Sequence, residues 1–162
     1  IGFSHLHLNG TGCSDTGDIL FMPYIGNART QPGTQQDPLS GYASLYSKDN
    51  EQALPGYYEV LLKTHNTKVE LTASDRVAFH RYTFPKDAEK HVMINLKDAN
   101  GDDRPTNTYL EQMNDTVIRG YRHSTGWASS KYTSPQYSLN LYIWPCIMTQ
   151  CKLQETIFKV WM

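Results

Sequence analysis

From Tyr57 onward the chain breaks into short runs in which apolar and polar residues alternate, and each run stops at turn-forming residues. Tyr57–Thr64 (YYEVLLKT) and Lys68–Ser74 (KVELTAS) flank His65-Asn66-Thr67, which suits a hairpin connection. Val77–Phe84 (VAFHRYTF) ends at Pro85, which has no amide to give to a ladder. His91–Leu96 (HVMINL) and Thr116–Arg122 (TVIRGYR) follow, separated by the acidic turn Asp98–Asp103. Residues two apart share one face of a strand, so each run has a core face and a solvent face. No segment of about 12 residues keeps a helical period. The pattern predicts an all-β fold, an antiparallel β-sandwich. Eleven tyrosines, three tryptophans and five phenylalanines agree with it, because aromatic residues favour strands.

The first 26 residues hold the best candidate for a site. Phe3, His5 and His7 alternate with Ser4, Leu6 and Leu8, which reads as a strand with two unlike faces. The strand runs into Asn9-Gly10-Thr11-Gly12, where two glycines permit backbone angles closed to other residues and let a ligand come close. Cys13, Ser14, Asp15 and Asp18 add polar groups before the apolar run Ile19–Met22. A polar loop on a rigid strand is a common way to present a site. From Asn27 to Ala53 the punctuation by Pro32-Gly33, Asp37-Pro38 and Ser40-Gly41 predicts a long loop, of the kind that carries function or is disordered.

Bulk properties exclude several functions. A length of 162 residues suits one domain with a real core. The formal charge of −1 gives no basis for nucleic acid as a partner. No run approaches the roughly 20 apolar residues of a membrane helix. Cys13, Cys146 and Cys151 form neither a disulfide framework nor a metal pattern. The chain starts at Ile1 with no signal peptide in view, and its natural amino terminus is expected upstream.

The same residues carry a resemblance. GFSH-x-HL-x-GTGC followed by GDI-x-x-MP-x-x-G resembles the amino-terminal β-sandwich domain of glycoside hydrolase family 92, the calcium-dependent exo-α-mannosidases. The likeness continues through Pro55-Gly56-Tyr57-Tyr58, Val69-Glu70-Leu71-Thr72, Arg81-Tyr82-Thr83-Phe84-Pro85 and Gly120-Tyr121-Arg122, and ends at Ser124–Ala128. Residues 1–130 are therefore expected to be this domain, incomplete at both ends. The resemblance implies a sandwich joined to a carboxyl-terminal (α/α)6 barrel that hydrolyses terminal α-linked mannose with inversion. One carboxylic acid protonates the leaving oxygen and one carboxylate activates water. Acid, base and calcium ligands are implied to lie in the barrel. The chain alone is then expected to be inactive and to hold no cofactor or metal of its own. The implied partners are a mannose-containing glycan and the missing catalytic domain. The implied setting is secreted, periplasmic or cell-surface, in N-glycan degradation.

By the same resemblance, Gly10, Thr11, Gly12 and Cys13 face the cleft between the two domains and help form the mannose pocket. His7, nearest that loop, suits a sugar hydrogen bond, Asp15 suits a sugar hydroxyl or an orienting role, and Trp127 offers a stacking face. Each has a plainer role open to it: a tight turn for the glycines, a buried thiol for Cys13, a turn for Asp15, and the core for Trp127. His5 and His7 share a strand face at metal-ligand spacing, but no further ligands can be placed, and satisfied, partly buried histidines are expected. Asp98-x-Asn100-x-Asp102 lacks the glutamate and helices of a calcium loop and reads as an acidic turn. Asn9-Gly10-Thr11 and Asn114-Asp115-Thr116 match the glycosylation triplet, a pattern frequent by chance. The rival reading, from another class, is a free-standing carbohydrate-binding β-sandwich module.

Past Ala128 the texture changes, and two of three cysteines and two of three tryptophans fall in the tail. Regrouping the codons by one base shift from Lys131 permits V-Y-F-A-A-V-F-S-K-P, an alternating strand similar to what the family has after its GWA segment. Residues 131–162 are accordingly expected to be frameshifted and non-native, packing poorly and exposing Trp144, Phe158 and Trp161. A genuine terminal strand over Leu139–Trp144 is the other reading.

Overall fold

A computed structural model of the chain describes residues 1–6, 17–34, 36–75, 77–99, 104–115, 117–124, 137–146 and 155–161, the last two segments as backbone. The described strands form two antiparallel sheets. Strands β1 (Phe3–Leu6), β2 (Gly17–Ile25) and β7 (Lys90–Ala99) make a three-stranded sheet in the order β1-β2-β7. The second sheet contains β3 (Glu51–Leu54), β4 (Tyr57–Leu62), β5 (Thr67–Ala73), β6 (Val77–Thr83), β8 (Pro105–Asn114), β9 (Val117–Ser124), β10 (Tyr137–Cys146) and β11 (Glu155–Trp161). Its order is β3-β4-β5-β6-β11-β10-β9-β8. The all-β antiparallel sandwich expected from the alternation is what the chain forms.

The two sheets close over one core. Ile19, Phe21, Met22 and Tyr24 come from β2; Val60, Leu62, Val69, Ala78 and Tyr82 come from β4, β5 and β6. On β6 alternation is visible in the burial: Ala78, His80 and Tyr82 are buried while Phe79 and Arg81 are exposed. Residues 19–24 of β2 are all buried, so this central strand lacks a solvent face and reads in sequence only as an apolar run. The β4–β5 connection turns through Asn66 at φ 44°, a left-handed angle that asparagine tolerates better than most residues.

The expected loop from Asn27 to Ala53 is shorter than the sequence suggests, because Glu51–Leu54 pairs with β4 as an edge strand. The remainder is tied down rather than loose. Tyr42 is buried, its carbonyl accepts from His65 Nε2 at 2.9 Å, and its amide donates to Gln31 O at 3.0 Å. Arg29 Nη1 donates to Leu39 O at 3.1 Å from across the turn. At Gly41 a Cβ would lie 2.0 Å from the Gly33 amide nitrogen, so the two loop segments approach closely only because that side chain is absent.

Candidate functional site

The loop between β1 and β2 has a well-defined base. Leu6 pairs with Gly17 and His5 with Asp18, so residues 7–16 join two strands whose ends face each other in register. His7, Gly10, Thr11, Gly12, Cys13 and Asp15 fall within those residues and, like Trp127, lie outside the described residues. What the structure does describe is how the base of the loop is held.

The pairing is irregular on both sides of β2. Register shifts between Phe3 and His5 against β1, and between Asp18 and Leu20 against β7. At this bulge Ile19 takes φ 54°, a left-handed angle that a β-branched residue adopts only against about 1–3 kcal/mol of strain. The Ile19 side chain is fully buried, and its carbonyl accepts a hydrogen bond from His5 Nδ1 at 2.9 Å. His5 Nε2 lies 3.0 Å from His80 Nε2, and His80 Nδ1 lies 2.7 Å from the Tyr82 hydroxyl. His5 and His80 belong to different sheets, so their contact ties the layers together directly. Phe21 packs its ring against both imidazoles at 4.9 and 5.3 Å.

The direction of these bonds follows from their end. A carbonyl can only accept, so His5 Nδ1 carries the hydrogen and, in the neutral ring, Nε2 is left as an acceptor. His80 Nε2 must then donate to it, which leaves His80 Nδ1 to accept from Tyr82 O–H. Burial, with the neighbouring His5 adding to it, pushes the His80 pKa from 6.5 down to about 3. Burial likewise pushes the Tyr82 phenol well up. His5 is a satisfied histidine, the reading that the sequence favoured over a metal ligand, but it is buried more fully than the partly buried ring expected.

Beside this chain lies a groove of about 400 Å3 between β1 and the β3–β6 end of the larger sheet. Phe3, Leu54, Tyr57, Tyr58 and Leu71 supply most of its wall, and the two histidines lie at its inner end. On the outer face of the same strands, Glu59, Glu70 and Arg81 stand in one cross-strand row. Arg81 Nε donates to Glu70 Oε2 at 2.7 Å, and the Tyr57 hydroxyl lies 2.6 and 2.7 Å from the two carboxylates. The Arg81 bond holds the Glu70 carboxyl down at about 2, and hydrogen bonds hold Glu51, Glu59 and Glu111 below the ordinary range as well. A glycosidase acid needs the opposite shift, a carboxyl kept protonated near neutral pH. These carboxylates are ion-pair partners, not proton donors.

At the other end of the sandwich, Arg122 is fully buried and its Nε donates to Leu96 O at 2.9 Å, a second tie between the sheets. Gly120, two residues earlier, passes close to β8: a Cβ there would stand 2.3 Å from Tyr109 O. Gly120 and Arg122 of the GYR motif thus serve packing. Asp98, read as part of an acidic turn, accepts from Asn95 Nδ2 at 2.8 Å, while Asn100 and Asp102 lie outside the described residues. Among the described residues no group of three or more His, Cys, Asp or Glu side chains could hold a metal ion; the calcium ligands that the resemblance implies belong to the barrel. Nor is any described helix long and apolar enough to cross a membrane. Sequence reasoning gave His80, Tyr82 and the strained Ile19 no role; the two-residue period puts His80 and Tyr82 on one face of β6, but nothing in the sequence pairs them with His5.

Comparisons with known proteins agree with this geometry. The family model described as the glycosyl hydrolase family 92 N-terminal domain matches residues 1–155, past Ala128, where the resemblance read from the sequence ends. Among solved structures, the family GH92 α-mannosidase BT3965 from Bacteroides thetaiotaomicron, in complex with mannoimidazole, is 27% identical with a TM-score of 0.84. The likeness covers 99% of this chain and 25% of that one, so the chain spans about a quarter of the length of this relative. The GH92 family glycosyl hydrolase ccman5 gives a TM-score of 0.65 at 24% identity, over 99% of this chain and 23% of that chain. The inverting mannosidase BT2199 from Bacteroides thetaiotaomicron VPI-5482 gives 0.56 at 14%, over 88% of this chain and 19% of that chain. At those identities the last two speak for the fold. No curated protein matches the chain. With the family model matching nearly the whole chain, and a two-sheet antiparallel sandwich to go with it, the chain belongs to glycosyl hydrolase family 92, in its amino-terminal domain.

Proposed function

We propose that this chain is the non-catalytic wall of the mannose pocket in an exo-acting α-mannosidase that releases terminal α-linked mannose with inversion. The observation that supports this most is the likeness over 99% of the chain to a quarter of a mannosidase solved with mannoimidazole. The loop of residues 7–16, carried on the paired ends of β1 and β2, is the part assigned to the sugar. In this reading Gly10 and Gly12 let the backbone approach the ring, while Thr11, Cys13, His7 and Asp15 offer polar contacts and Trp127 a stacking face. The proton donor comes from the catalytic domain, since the described carboxylates with shifted titration are held low by their partners, and this reading assigns the water-activating base to that domain as well. Calcium, where the enzyme uses it, takes its ligands from elsewhere, and no step through it is assigned to this chain. The substrate is a mannose-containing glycan met outside the cytoplasm.

The test is mannose release by the full-length protein of the gene, with Gly12→Val and Cys13→Ala as variants. The reading predicts that Gly12→Val lowers kcat/KM at least about tenfold while the thermal midpoint stays near that of the parent. Full kcat/KM in both variants would leave the loop without a part in catalysis. A free-standing sugar-binding module remains the competing class, and coverage of only a quarter of a longer mannosidase disfavours it.

A further inference from the structure

The two sheets are unequal, three described strands against eight, and the cover over the core thins where the smaller one stops. Thr67, Val69, Leu71 and Ala73 share the core face of β5; the first two are buried, Leu71 is half-buried and Ala73 is exposed. On β4, Leu62 and Val60 are buried and Tyr58 is half-buried. Tyr58, Leu71 and His80 stand in one cross-strand row, and of the three only His80, stacked on His5, is buried. Strand β1 is the outermost described strand of the smaller sheet. The groove of about 400 Å3 follows it from Phe3 to His5. A second cavity of about 230 Å3, lined by Ile1, Gly2 and Phe3 together with Tyr46, Tyr58 and Val60, continues it. We propose that this track seats a further strand, added along the edge of β1 and contributed by the part of the full-length protein that lies outside residues 1–162. Family membership suffices for it, and the strand is needed whether or not the 7–16 loop touches sugar.

The chemistry of the groove selects a strand over a sugar. Its lining includes no Asp, Glu, Lys or Arg. Most of its polar side chains are already bonded. The Tyr57 hydroxyl lies 2.6 and 2.7 Å from Glu59 and Glu70, and the Tyr58 hydroxyl donates to Glu51 Oε1 at 2.8 Å. Thr72 Oγ1 donates to Gly56 O at 2.6 Å, and the two histidines bond each other. A sugar hydroxyl would leave water there with few partners in exchange. A strand differs, because its backbone bonds an edge strand while alternate side chains fill the floor. The added segment is therefore uncharged and apolar at the alternate positions that meet Leu71, Ala73 and Ala78. Matching residues 1–5 takes about five residues at roughly 3.3 Å each.

The source follows from length. The likeness covers 99% of this chain and 25% of the solved mannosidase, so most of such a protein lies outside these residues. A second copy of this chain would bring only another four-residue β1 to the same edge. Folded proteins cover a sheet edge that borders open apolar surface, and a segment of the same polypeptide does so without the entropy cost of association.

Two measurements compare the 162-residue chain with the full-length protein of the gene. Ala73→Cys puts a thiol in the groove lining at a position exposed in this chain. Its maleimide labelling, read at that residue by peptide mass, should run within about tenfold of the urea-unfolded rate in the 162-residue chain and at least about 100-fold below it in the full-length protein. Amide exchange over residues 3–6, which needs no variant, should slow at least about tenfold in the full-length protein. A thiol that labels in the full-length protein near the unfolded rate would overturn the proposal. So would a protected thiol with β1 exchange unchanged, since the cover would not be a strand. Protection in the 162-residue chain that rises with its concentration would seat a second copy there and overturn it as well. Neither readout involves sugar, so failure here leaves the pocket reading standing, and failure of the Gly12→Val test leaves the added strand standing.

Discussion

His5 and His80 meet nitrogen to nitrogen at 3.0 Å, one from each sheet of the sandwich, 75 residues apart in the chain. Two imidazoles share one hydrogen only when one nitrogen carries it and the facing nitrogen offers a lone pair, so this contact ties the proton positions of the two rings to each other.

Tyr82→Phe removes the donor at the head of that chain and leaves His80 Nδ1 as a buried acceptor without it. Tyr82 is fully buried, so the cavity left by the hydroxyl does not open to solvent. The expected cost is about 1–3 kcal/mol, read as a shift in urea midpoint without a change in slope.

Glu70→Gln tests the outer face. Arg81 holds the Glu70 carboxyl down at about 2, against 4.5 ordinarily, so this group adds stability that is complete above pH 4.5 and lost as the pH falls towards 2. Arg81 is nearly half exposed, and an ion pair so open to solvent contributes about 1 kcal/mol or less near neutral pH. The variant should lose about that much at pH 7 and show a flatter profile between pH 4.5 and 2, by denaturation at each pH.

Gly120→Ala places a methyl group 2.3 Å from the Tyr109 carbonyl, which is backbone and cannot swing aside. The β8–β9 pair must separate, at a cost of about 1–3 kcal/mol. Faster amide exchange at Tyr109 and Leu110, with β4–β6 unchanged, is the expected signature.

How much of this was legible from sequence depends on whether a strand has two unlike faces. Strand β6 alternates buried and exposed residues, β4 and the start of β5 alternate buried and half-buried ones, and the sequence places all three within a residue or two of their true ends. Strand β2 is buried throughout from Ile19 to Tyr24, and β8 is exposed along most of its length as the edge of its sheet. Neither has an alternating pattern to read. Gly10–Cys13 carry local signals, glycine and clustered polar residues, but they lie outside the described residues. The contact of His5 with His80 was not legible, because it depends on two sheets meeting face to face. The strain at Ile19 has no local signal either; an isoleucine there looks like any core residue.

The tail gives a prediction of another kind. Residues 137–146 pair with β9 and residues 155–161 with β6, so the sheet has backbone partners there. We expect the source DNA, read across codons 125 to 162, to need a one-base correction near codon 130. That correction would restore V-Y-F-A-A-V-F-S-K-P beside β9. A read that confirms the present frame through Met162 would make the tail native.

The central claim is that this domain supplies half of a mannose site and cannot bind the sugar by itself. Titration of methyl α-mannoside into the folded chain, followed by amide chemical shifts, tests it most directly. The account predicts no saturable shift even at concentrations that would half-fill a site with a Kd of about 1 mM. Saturable binding in that range or tighter would contradict it and make the domain a carbohydrate-binding module in its own right.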